Sequence, residues 1–496
     1  MNVSPKVGTN SLIDLTEPKR IHVVGVGGTG MSALALVLNE AGHRISGSEI
    51  KDLSILKKLE ANGIQVYKGQ SADHVTDKDV VVYSTAIPKD NIEIVSAVDQ
   101  SIPLRHRGEI LGSLSTLKDT IGVAGTHGKS TITSLITLIL HKANEMPSFV
   151  VGSEINEVGS SAGWDSGRYL VLEADESDGS FLHLKSYVGV VSSVEPDHLE
   201  YYGDFFHLQK AFCKFLSDSK IKVVGTGFMD QEESDMPLIG DGKNGNAKQS
   251  YDYRPTEILD NVVDRQNLYT VGFRPSDDFR IENVVFDEDG SKFSLNIKAE
   301  KASQNFEIML YGYHNVYNAA VSAATAIALG IDLKAVKSAL NIFGGISRRF
   351  EFRGVKNDIT FIDDYAHLPG EIRPTVHAAK QLKKQRTIVV FQPHRYTRVK
   401  SIYRDFAEAF DEADVVYITD IYSAGEQPIP GISGELVYDV VKDHFQKTQK
   451  ITQAYYISSR AELIQELLNV IDKDDIVLTL TAGDLTTLPD EIMERM

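Results

Sequence analysis

The sequence predicts an α/β fold built on parallel sheets. Two glycine-rich segments, Gly25–Gly30 and Gly122–Thr131, each follow a short apolar run and precede a segment of helical character. Strand, glycine turn and helix in this order are typical of nucleotide-binding domains, because the turn lets backbone N–H groups approach a phosphate. Two further apolar runs, Val171–Glu173 and Val188–Val194, lead into clustered polar and acidic residues. With 496 residues, the chain has room for about three domains.

The composition argues against several classes of function. The 51 basic and 69 acidic residues give a net charge of -18. The sequence has no long basic run of the kind that binds nucleic acid. We find neither a signal peptide nor an apolar run long enough to cross a bilayer. The single cysteine, Cys213, cannot form an internal disulfide. We therefore expect a cytoplasmic protein that acts on small molecules, without nucleic acid and without membrane insertion.

The first glycine segment predicts a site for a diphosphate. Ile21–Val24 is predicted to be a buried strand and Met31–Glu40 a helix. Glu49 ends a second predicted strand about 20 residues beyond the loop, where an acid can bind ribose hydroxyls. NAD, FAD and a UDP-sugar all fit this pattern. The candidate contacts in the loop and at the start of the helix are Gly25, Gly27, Gly28, Thr29, Gly30, Met31 and Ser32.

A later strand of the same sheet is predicted to begin at Val80. Ser84 and Thr85 follow it directly. Ligands of such sheets bind beyond the carboxyl ends of the strands, so both hydroxyls are candidates for polar contact.

The second glycine segment predicts an ATP site. Backbone N–H groups around Gly125 can cradle phosphate, Lys129 can neutralise the outer phosphates and Ser130 can coordinate Mg2+. The apolar run Ile132–Leu140 is predicted to form a helix whose N-terminus faces the same anion. Val123 stands where the usual pattern has its first glycine, so an ordinary strand-to-helix turn is the alternative.

Acids follow both apolar runs of the middle region. One cluster lies between Glu173 and Asp178, and the other between Glu195 and His198. Carboxylates beside a phosphate loop would repel the nucleotide unless a divalent cation lay between them, which favours Mg2+. Because neighbouring parallel strands end at one rim, we expect Glu173, His198 and Ser130 to lie on the same rim.

The two glycine segments and the acids belong to a longer series of motifs, and through them the chain resembles the Mur ligases. The resemblance runs through nearly the whole sequence. The motifs that carry it, besides Gly25–Ser32, are Gly125–Ser130, Glu173–Asp178, Glu195–Gly203, Gly312–Asn318, Arg348–Phe350, Asp363–His367, Phe391–Arg398 and Ala424–Glu426.

This resemblance implies three domains after a flexible leader over 1–18. Residues 19–117 would form a Rossmann-like UDP-sugar-binding domain. Residues 118–345 would form a central P-loop ATPase domain with a parallel sheet and a surface insertion at about 228–261. Residues 346–496 would form a Rossmann-like domain that positions the amino acid.

The resemblance also implies an activity. Its alanine-adding branch joins L-alanine to UDP-N-acetylmuramate through an acyl phosphate, using ATP and two Mg2+ ions, in peptidoglycan precursor synthesis. We expect a monomer or a homodimer. The alternatives are a murein peptide ligase, which attaches a preformed peptide to the same sugar nucleotide, a nicotinamide-dependent oxidoreductase, and a non-catalytic nucleotide-binding scaffold.

The resemblance further implies roles for the residues at matching positions. Lys129, His198 and Arg349 would be catalytic, and Ser130, Glu173 and His198 would bind metal. UDP-sugar binding is expected of the first glycine loop with Glu49, Ser84 and Thr85. ATP binding is expected of Gly125, Thr126, His127, Gly128, Lys129, Ser130, Thr131, His314, Asn315, Asn318, Arg349 and Asp364. Amino-acid binding is expected of Tyr365, His367, His394, Arg395 and Arg398.

Three departures from the family pattern concern these sites. Leu368 and Gly370 replace an imidazole and a hydroxyl of the usual run after His367, and Glu49 stands where Asp is usual. Related ligases bridge their metals with a carbamylated lysine, and we assign none here because the alanine-adding branch generally lacks it.

Overall fold

A computed structural model describes residues 12–227, 265–287 and 290–496. The chain divides into two compact units. The first contains the described residues up to Glu282 together with Ser294–Phe306 and Tyr317–Phe343, and the second contains the described residues of Asn283–Phe293, Glu307–Val316 and Gly344–Met496. The predicted insertion at about 228–261 lies outside the described residues.

The first sheet of unit 1 is five-stranded and parallel, with the order β3-β2-β1-β4-β5. Its strands are β1 (Arg20–Val24), β2 (Arg44–Glu49), β3 (Gln65–Lys68), β4 (Val80–Tyr83) and β5 (Leu104–His106). Its helices are α1 (Thr29–Glu40), α2 (Ser54–Ala61), α3 (Ile92–Asp99) and α4 (Arg107–Leu114). The predicted first strand and helix are confirmed, and the helix begins two residues earlier than predicted. The strand order reverses between β1 and β4, which is where such sheets bind ligands.

The second sheet has ten strands in the order β15-β14-β13-β12-β11-β10-β6-β9-β7-β8. They are β6 (Asp119–Ala124), β7 (Ser148–Ile155), β8 (Ser160–Gly163), β9 (Tyr169–Glu173), β10 (Ser186–Val191), β11 (Ile221–Gly225), β12 (Leu268–Gly272), β13 (Phe279–Asp287), β14 (Gly290–Ile297) and β15 (Ala302–Ile308). The helices that follow these strands are α5 (Lys129–Lys142), α6 (Leu199–Tyr202), α7 (Phe205–Ser217), α8 (Tyr313–Ala328) and α9 (Leu333–Ile342).

Strand β6 pairs in parallel with both β9 and β10. The carboxyl ends of the three strands therefore meet at one rim, as predicted. Strand β10 ends at Val191, three residues before its predicted end. The Ser192 N–H still donates to the Ala124 carbonyl oxygen at the end of β6. The strand ends there because the Ser193 carbonyl oxygen accepts from the Thr126 N–H in the loop after β6.

The two sheets of unit 1 share one hydrophobic core. Side chains of α1, such as Leu34 and Leu38, belong to the same buried cluster as Val150 of β7 and Leu170 of β9. Leu15 is also part of this core, and the Ile13 N–H donates to Ser113 Oγ at 3.0 Å. The described end of the predicted flexible leader is therefore packed, because it carries apolar side chains that the core covers.

Unit 2 contains a six-stranded sheet of order β16-β17-β21-β18-β19-β20, parallel except for the antiparallel edge strand β16. The strands are β16 (Glu351–Lys356), β17 (Ile359–Asp364), β18 (Arg386–Gln392), β19 (Val415–Ile418), β20 (Gln453–Tyr456) and β21 (Asp475–Thr481). The helices are α10 (Pro369–Gln381), α11 (Tyr396–Ile402), α12 (Gly434–Lys447), α13 (Arg460–Val470) and α14 (Leu488–Arg495). Separate cores lie against this sheet. The expected Rossmann-like arrangement is confirmed.

Among the helices of the described residues, none has the length and hydropathy that crossing a membrane needs.

Candidate active site

The loop between β6 and α5, which the sequence predicts to be a phosphate cradle, is tightly packed. Gly125 has a φ of +135° and Gly128 a φ of +81°, which L side chains rarely adopt. A Cβ on Gly125 would lie 2.2 Å from Ser192 Oγ, and one on Gly128 would lie 2.4 Å from Asn318 Oδ1. Both glycines are needed for conformation and for space.

The segment after β10 holds this loop in place. The Glu195 N–H donates to Thr126 Oγ1 at 2.9 Å, and the His127 N–H donates to Ser193 Oγ at 3.0 Å. His127 Nε2 lies 3.1 Å from Glu195 Oε2. Thr131 is buried in the first turn of α5. The second acidic motif thus fixes the conformation of the glycine loop.

Lys129 lies at the centre of the cradle. Its Nζ donates to Glu176 Oε1 at 2.8 Å and to the Gly125 carbonyl oxygen at 2.6 Å. Burial lowers the pKa of Lys129, but the carboxylates of Glu176 and Asp175 outweigh burial and raise it above its ordinary value. Burial likewise raises the pKa of Asp175, and the charges of Lys129 and Arg107 overcome it and lower that pKa to about 2. Burial raises the pKa of Glu176 above its ordinary value, against the opposing charge of Lys129. The cradle therefore holds a charged Lys129 ammonium beside the charged carboxylate of Asp175.

Ser130 and Glu173 meet on the rim. Ser130 Oγ donates to Glu173 Oε1 at 2.9 Å, and the Gly152 N–H of β7 donates to Glu173 Oε2 at 2.7 Å. His198 follows β10 with a φ of +52°, and its Nε2 lies 3.4 Å from Asp197 Oδ2. The hydroxyl and the carboxylate supply the hard oxygen donors that Mg2+ prefers.

Arg107 is a further candidate for this site that was not predicted from the sequence. Its guanidinium donates to Asp175 Oδ2 at 2.9 Å, and a Cβ on Gly30 would lie 2.2 Å from its Nη1. Arg107 therefore joins the first glycine loop to the acids of the second. The available signal was a basic residue just after β5, at the carboxyl edge of the first sheet.

The first glycine loop is organised around Glu49. Its Oε2 accepts from the Gly27 N–H at 3.1 Å, and its Oε1 accepts from the Ile50 N–H at 2.9 Å. Gly25 turns the chain with a φ of +71°. The loop continues through Gly28, Thr29 and Gly30 into α1, where Met31 and Ser32 are buried.

Ser84 and Thr85 lie in the turn after β4. Because β4 neighbours β1, this turn lies at the same carboxyl edge as the first glycine loop.

The three predicted adenine contacts lie on α8 and have different surroundings. Asn318, in unit 1, lies against Gly128 of the phosphate loop. His314 and Asn315 belong to unit 2, where Asn315 Nδ2 donates to the Tyr311 carbonyl oxygen at 2.8 Å. Burial, followed by the charges of His377 and Arg349, lowers the pKa of His314 to about 4. His314 Nδ1 is buried and makes no hydrogen bond to a described residue.

Arg349 and Asp364 lie beside Tyr365 in unit 2. The Arg349 guanidinium carbon is 5.1 Å from the centre of the Tyr365 ring. Asp364 accepts from the backbone N–H groups of Phe350 at 2.6 Å and Ala366 at 2.7 Å. Burial is the main cause that raises the pKa of Asp364 to about 6. This carboxyl is thus held rigidly at the end of β17.

A group of rings and cations surrounds His394. The His367 and His394 rings are 5.4 Å apart, and Arg398 Nη1 lies 3.1 Å from His394 Nδ1. Burial, then the nearby charges of His367 and Arg398, lowers the pKa of His394 to about 3. Arg395 is exposed and has a φ of +66°. Tyr422, which stacks on His394 at 5.9 Å, was not predicted, although it follows β19 at the same edge.

The departures at Leu368 and Gly370 are accommodated by Glu371. Its Oε2 accepts from the backbone N–H groups of His367 at 3.0 Å and Leu368 at 3.2 Å. The first turn of α10 is therefore capped without the hydroxyl of the usual run.

In unit 1 the structure thus brings together Lys129, Ser130, Glu173 and Asn318, and in unit 2 Arg349, Asp364, Tyr365, His367, His394 and Arg398.

Comparison with known proteins identifies the family. Three family models match successive parts of the chain. They describe the Mur ligase family catalytic domain over residues 20–118, the Mur ligase middle domain over 123–326 and the Mur ligase glutamate ligase domain over 348–483. The chain belongs to the Mur ligase family.

Curated relatives of this Mur ligase match over nearly its whole length. The UDP-N-acetylmuramate–L-alanine ligase of Syntrophomonas wolfei is 37% identical, covering 97% of each chain. That of Dictyoglomus turgidum is 35% identical, covering 96% of this chain and 97% of its own. Among solved structures, the UDP-N-acetylmuramate–alanine ligase MurC of Thermotoga maritima superposes with a TM-score of 0.75 at 27% identity, covering 96% of this chain and 99% of its own.

Proposed function

We propose that this Mur ligase joins L-alanine to UDP-N-acetylmuramate at the expense of ATP. The single observation that carries the proposal is the cradle around Lys129, with Ser130 and Glu173 paired on its rim at 2.9 Å. This is a phosphate site bordered by metal-binding oxygens. The relatives that bear this activity in their names match 96 to 97% of the chain. An oxidoreductase would leave this second loop and its acids without a role.

A carboxylate is a poor electrophile and has to be activated before an amine can attack it. The lactyl carboxylate of the sugar nucleotide attacks the terminal phosphorus of ATP, which forms an acyl phosphate and releases ADP. The amine of L-alanine then attacks the acyl carbon, and phosphate leaves with the oxygen that joined it to that carbon. Neither step requires a protein nucleophile.

Lys129 and Arg349 are the cations that we assign to the phosphates. Charge accumulates on the phosphate oxygens in the first step and on the acyl oxygens in the second, so fixed cations lower both barriers. In the absence of nucleotide, Glu176 and Asp175 keep the Lys129 ammonium charged and oriented. Arg107 is positioned by Asp175 beside Gly30, and we assign it to the diphosphate of the sugar nucleotide.

Magnesium fits the rim of the cradle. Ser130 Oγ and Glu173 Oε1 already lie 2.9 Å apart, and both are hard oxygen donors. We propose that they hold one ion and that His198 contributes to a second. When bound, Mg2+ supplies charge neutralisation to the transferred phosphoryl group.

We assign the remaining ATP contacts to the glycine loop from Gly125 to Thr131, to Asn318 beside it, and to His314, Asn315 and Asp364. The buried Nδ1 of His314 and the side-chain amides offer hydrogen-bonding groups for the adenine edge. The carboxylate of Asp364 suits the ribose hydroxyls.

The sugar nucleotide is assigned to the first glycine loop with Glu49, Ser84 and Thr85. L-alanine is assigned to the group around His394. Arg398 and Arg395 offer planar cations for the amino-acid carboxylate, and Tyr365 and His367 complete the surroundings of the amine.

We propose domain boundaries near residues 117 and 345, a cytoplasmic location, and a monomeric or homodimeric state. Analytical ultracentrifugation of the purified chain measures the last of these.

Steady-state ADP release with one amine at a time tests the proposed substrate. We expect release to require UDP-N-acetylmuramate and to be supported by L-alanine with a higher kcat/KM than by glycine, L-serine or the peptide L-alanyl-γ-D-glutamyl-meso-diaminopimelate. A higher kcat/KM for the peptide would make the chain a murein peptide ligase. Absence of ADP release with every amine would contradict catalysis itself.

A further inference from the structure

Three side chains that the ligation chemistry does not use meet on one face of the first sheet. His22 lies on β1, Glu93 on α3 and His74 on a short 3-10 helix, Ala72–Val75. Each offers one metal-ligating atom, and these atoms all lie within 4.8 Å of one another. The side chains of His22 and Glu93 are 0% exposed, whereas that of His74 is 17% exposed. The cluster is therefore buried, with one side open to solvent at His74.

His22 has a buried nitrogen directed into this cluster. Its Nδ1 pairs with Ser46 Oγ at 3.0 Å. Its Nε2 makes no hydrogen bond to a described residue and lies 3.5 Å from Glu93 Oε1. A separation of 3.5 Å is long for a hydrogen bond, which prefers about 2.7–3.2 Å. It is close to the distance of about 3.3 Å between two ligands of a tetrahedral ion with bonds of about 2.0 Å.

The groups around the cluster hold the donors as a metal site requires. Ser48 Oγ donates to Glu93 Oε2 at 2.5 Å, so the second carboxylate oxygen is fixed. Ser46 Oγ likewise pairs with the outer nitrogen of His22. Ligating imidazoles and carboxylates usually have their other polar atoms bonded in this way, because the outer contacts set the ring orientation and the tautomer. Tyr67 contacts His74 by stacking, with ring centres 4.0 Å apart. A proton on His22 Nδ1 leaves the lone pair on Nε2.

His74 Nδ1 lies 2.7 Å from Glu93 Oε1, which is a hydrogen-bond distance. The partly exposed His74 ring is the member of the cluster with freedom to adjust when an ion enters.

We propose that His22, His74 and Glu93 bind a divalent transition-metal ion, with Zn2+ as the best match. Two imidazoles and one carboxylate are typical Zn2+ ligands, whereas Mg2+ prefers oxygen donors alone. The ion would tie β1 to α3 and to the 3-10 helix. Ser48, which holds Glu93, precedes Glu49 of the diphosphate loop. The site is distinct from the magnesium rim at Ser130 and Glu173, so the inference goes beyond the proposed ligation.

The test is direct titration of chelator-treated full-length protein with Zn2+, in excess Mg2+ to occupy oxygen-rich sites. Bound zinc is counted by mass spectrometry after gel filtration. Co2+ serves as a second probe, because its visible absorption reports tetrahedral coordination. We expect one tightly bound Zn2+ per chain and a loss of affinity of about tenfold or more in His74→Gln and Glu93→Gln.

His207→Gln is the matched control, because His207 is an exposed histidine of α7 and lies outside the cluster. It should retain the full stoichiometry and affinity. If Glu93→Gln fails to fold, the partly exposed position of His74 keeps the test available. The proposal is overturned if the unsubstituted protein does not bind one Zn2+ per chain, or if His74→Gln binds it as tightly as His207→Gln does.

Discussion

At the scale of single residues, Glu173 is the carboxylate that we propose as a metal ligand. It accepts from Ser130 Oγ and from the Gly152 N–H, so both of its oxygens are oriented. We expect Glu173→Gln to keep the fold, because an amide oxygen still accepts from one of these donors. The Mg2+ concentration needed for half-maximal ADP release should rise by about tenfold or more, since the ion loses a charged ligand.

Titration of Mg2+ in the ADP-release assay measures this change. Glu154→Gln is the matched control, since Glu154 is an exposed acid paired with Lys58 at 3.3 Å. An unchanged Mg2+ requirement in Glu173→Gln would remove Glu173 from the metal site.

His394 makes the stability of the protein depend on pH. Its pKa is about 3 in the folded chain, mainly because it is buried, against about 6.5 in an unfolded chain. Between these values the unfolded state binds more protons, so this residue removes stability as the pH falls from about 6.5 towards 3. When the pH is lowered from 7 to 5, we expect the unfolding free energy of His394→Gln to fall less than that of the unsubstituted protein.

Urea unfolding at several pH values measures the slope of the unfolding free energy against pH. His207→Gln, at an exposed position, should leave the slope unchanged. A slope in His394→Gln as steep as that of the unsubstituted protein would contradict a neutral, buried His394.

Lys129, Ser130 and Glu173 could be predicted as candidates from the sequence because each lies in a local motif. The partners that only tertiary packing supplies could not. Arg107 reaches Asp175 across 68 positions of the chain, and Tyr422 reaches His394 from a different strand end. Nothing in the local sequence around either residue specifies its partner.

At the scale of elements, the turn from β6 to α5 depends on the close approach of the segment after β10. We expect Gly125→Ala to reduce ADP release by about tenfold or more, because its Cβ would lie 2.2 Å from Ser192 Oγ and 2.9 Å from the Ser193 nitrogen. The φ of +135° lies in a region that L side chains rarely adopt, which adds a conformational cost of about 1–3 kcal/mol.

Gly159→Ala separates crowding from strain. Gly159 has a φ of +72°, but a Cβ there would meet nothing within 4 Å. The Gly159→Ala protein should therefore be slightly destabilised and keep its kcat. ADP release in Gly125→Ala equal to that in Gly159→Ala would show that the cradle does not need this packing.

The strands next to the glycine loops were predicted correctly, because a short apolar run bounded by glycine is typical of a buried strand. The predicted end of β10 lies three residues beyond its observed end at Val191. Ser192 and Ser193 continue the run of small residues, yet only the Ser192 N–H still bonds to β6, at Ala124, whereas the Ser193 carbonyl oxygen accepts from Thr126 in the loop that follows β6. Only the position of β6 decides this.

At the scale of the whole molecule, the parallel strand pairs around β1 and β6 follow from the repeated order of strand, glycine turn and helix, whereas the antiparallel pairing of β7 with β8 was not predicted. The sharing of one core by the two sheets of unit 1 does not follow from sequence, because it depends on contacts between α1 and β7 that are far apart in the chain. The antiparallel edge strand β16 was not predicted, although Asn357 and Asp358, which have positive φ values of 52° and 63°, form a two-residue turn typical of a β-hairpin between β16 and β17.

In the proposed reaction, the carboxylate of UDP-N-acetylmuramate is activated as an acyl phosphate within the cradle of Lys129. Supplying this substrate with its carboxylate labelled with heavy oxygen, together with ATP and L-alanine, tests it most directly. We predict that mass spectrometry of the released phosphate finds one heavy oxygen in each molecule formed.

Lys129→Ala should release labelled phosphate about a thousandfold more slowly while still binding the sugar nucleotide, whereas Lys142→Ala, at the other end of α5, should match the unsubstituted protein. Phosphate without heavy oxygen would contradict the acyl-phosphate route, and labelled phosphate formed at the full rate by Lys129→Ala would contradict the role of the cradle.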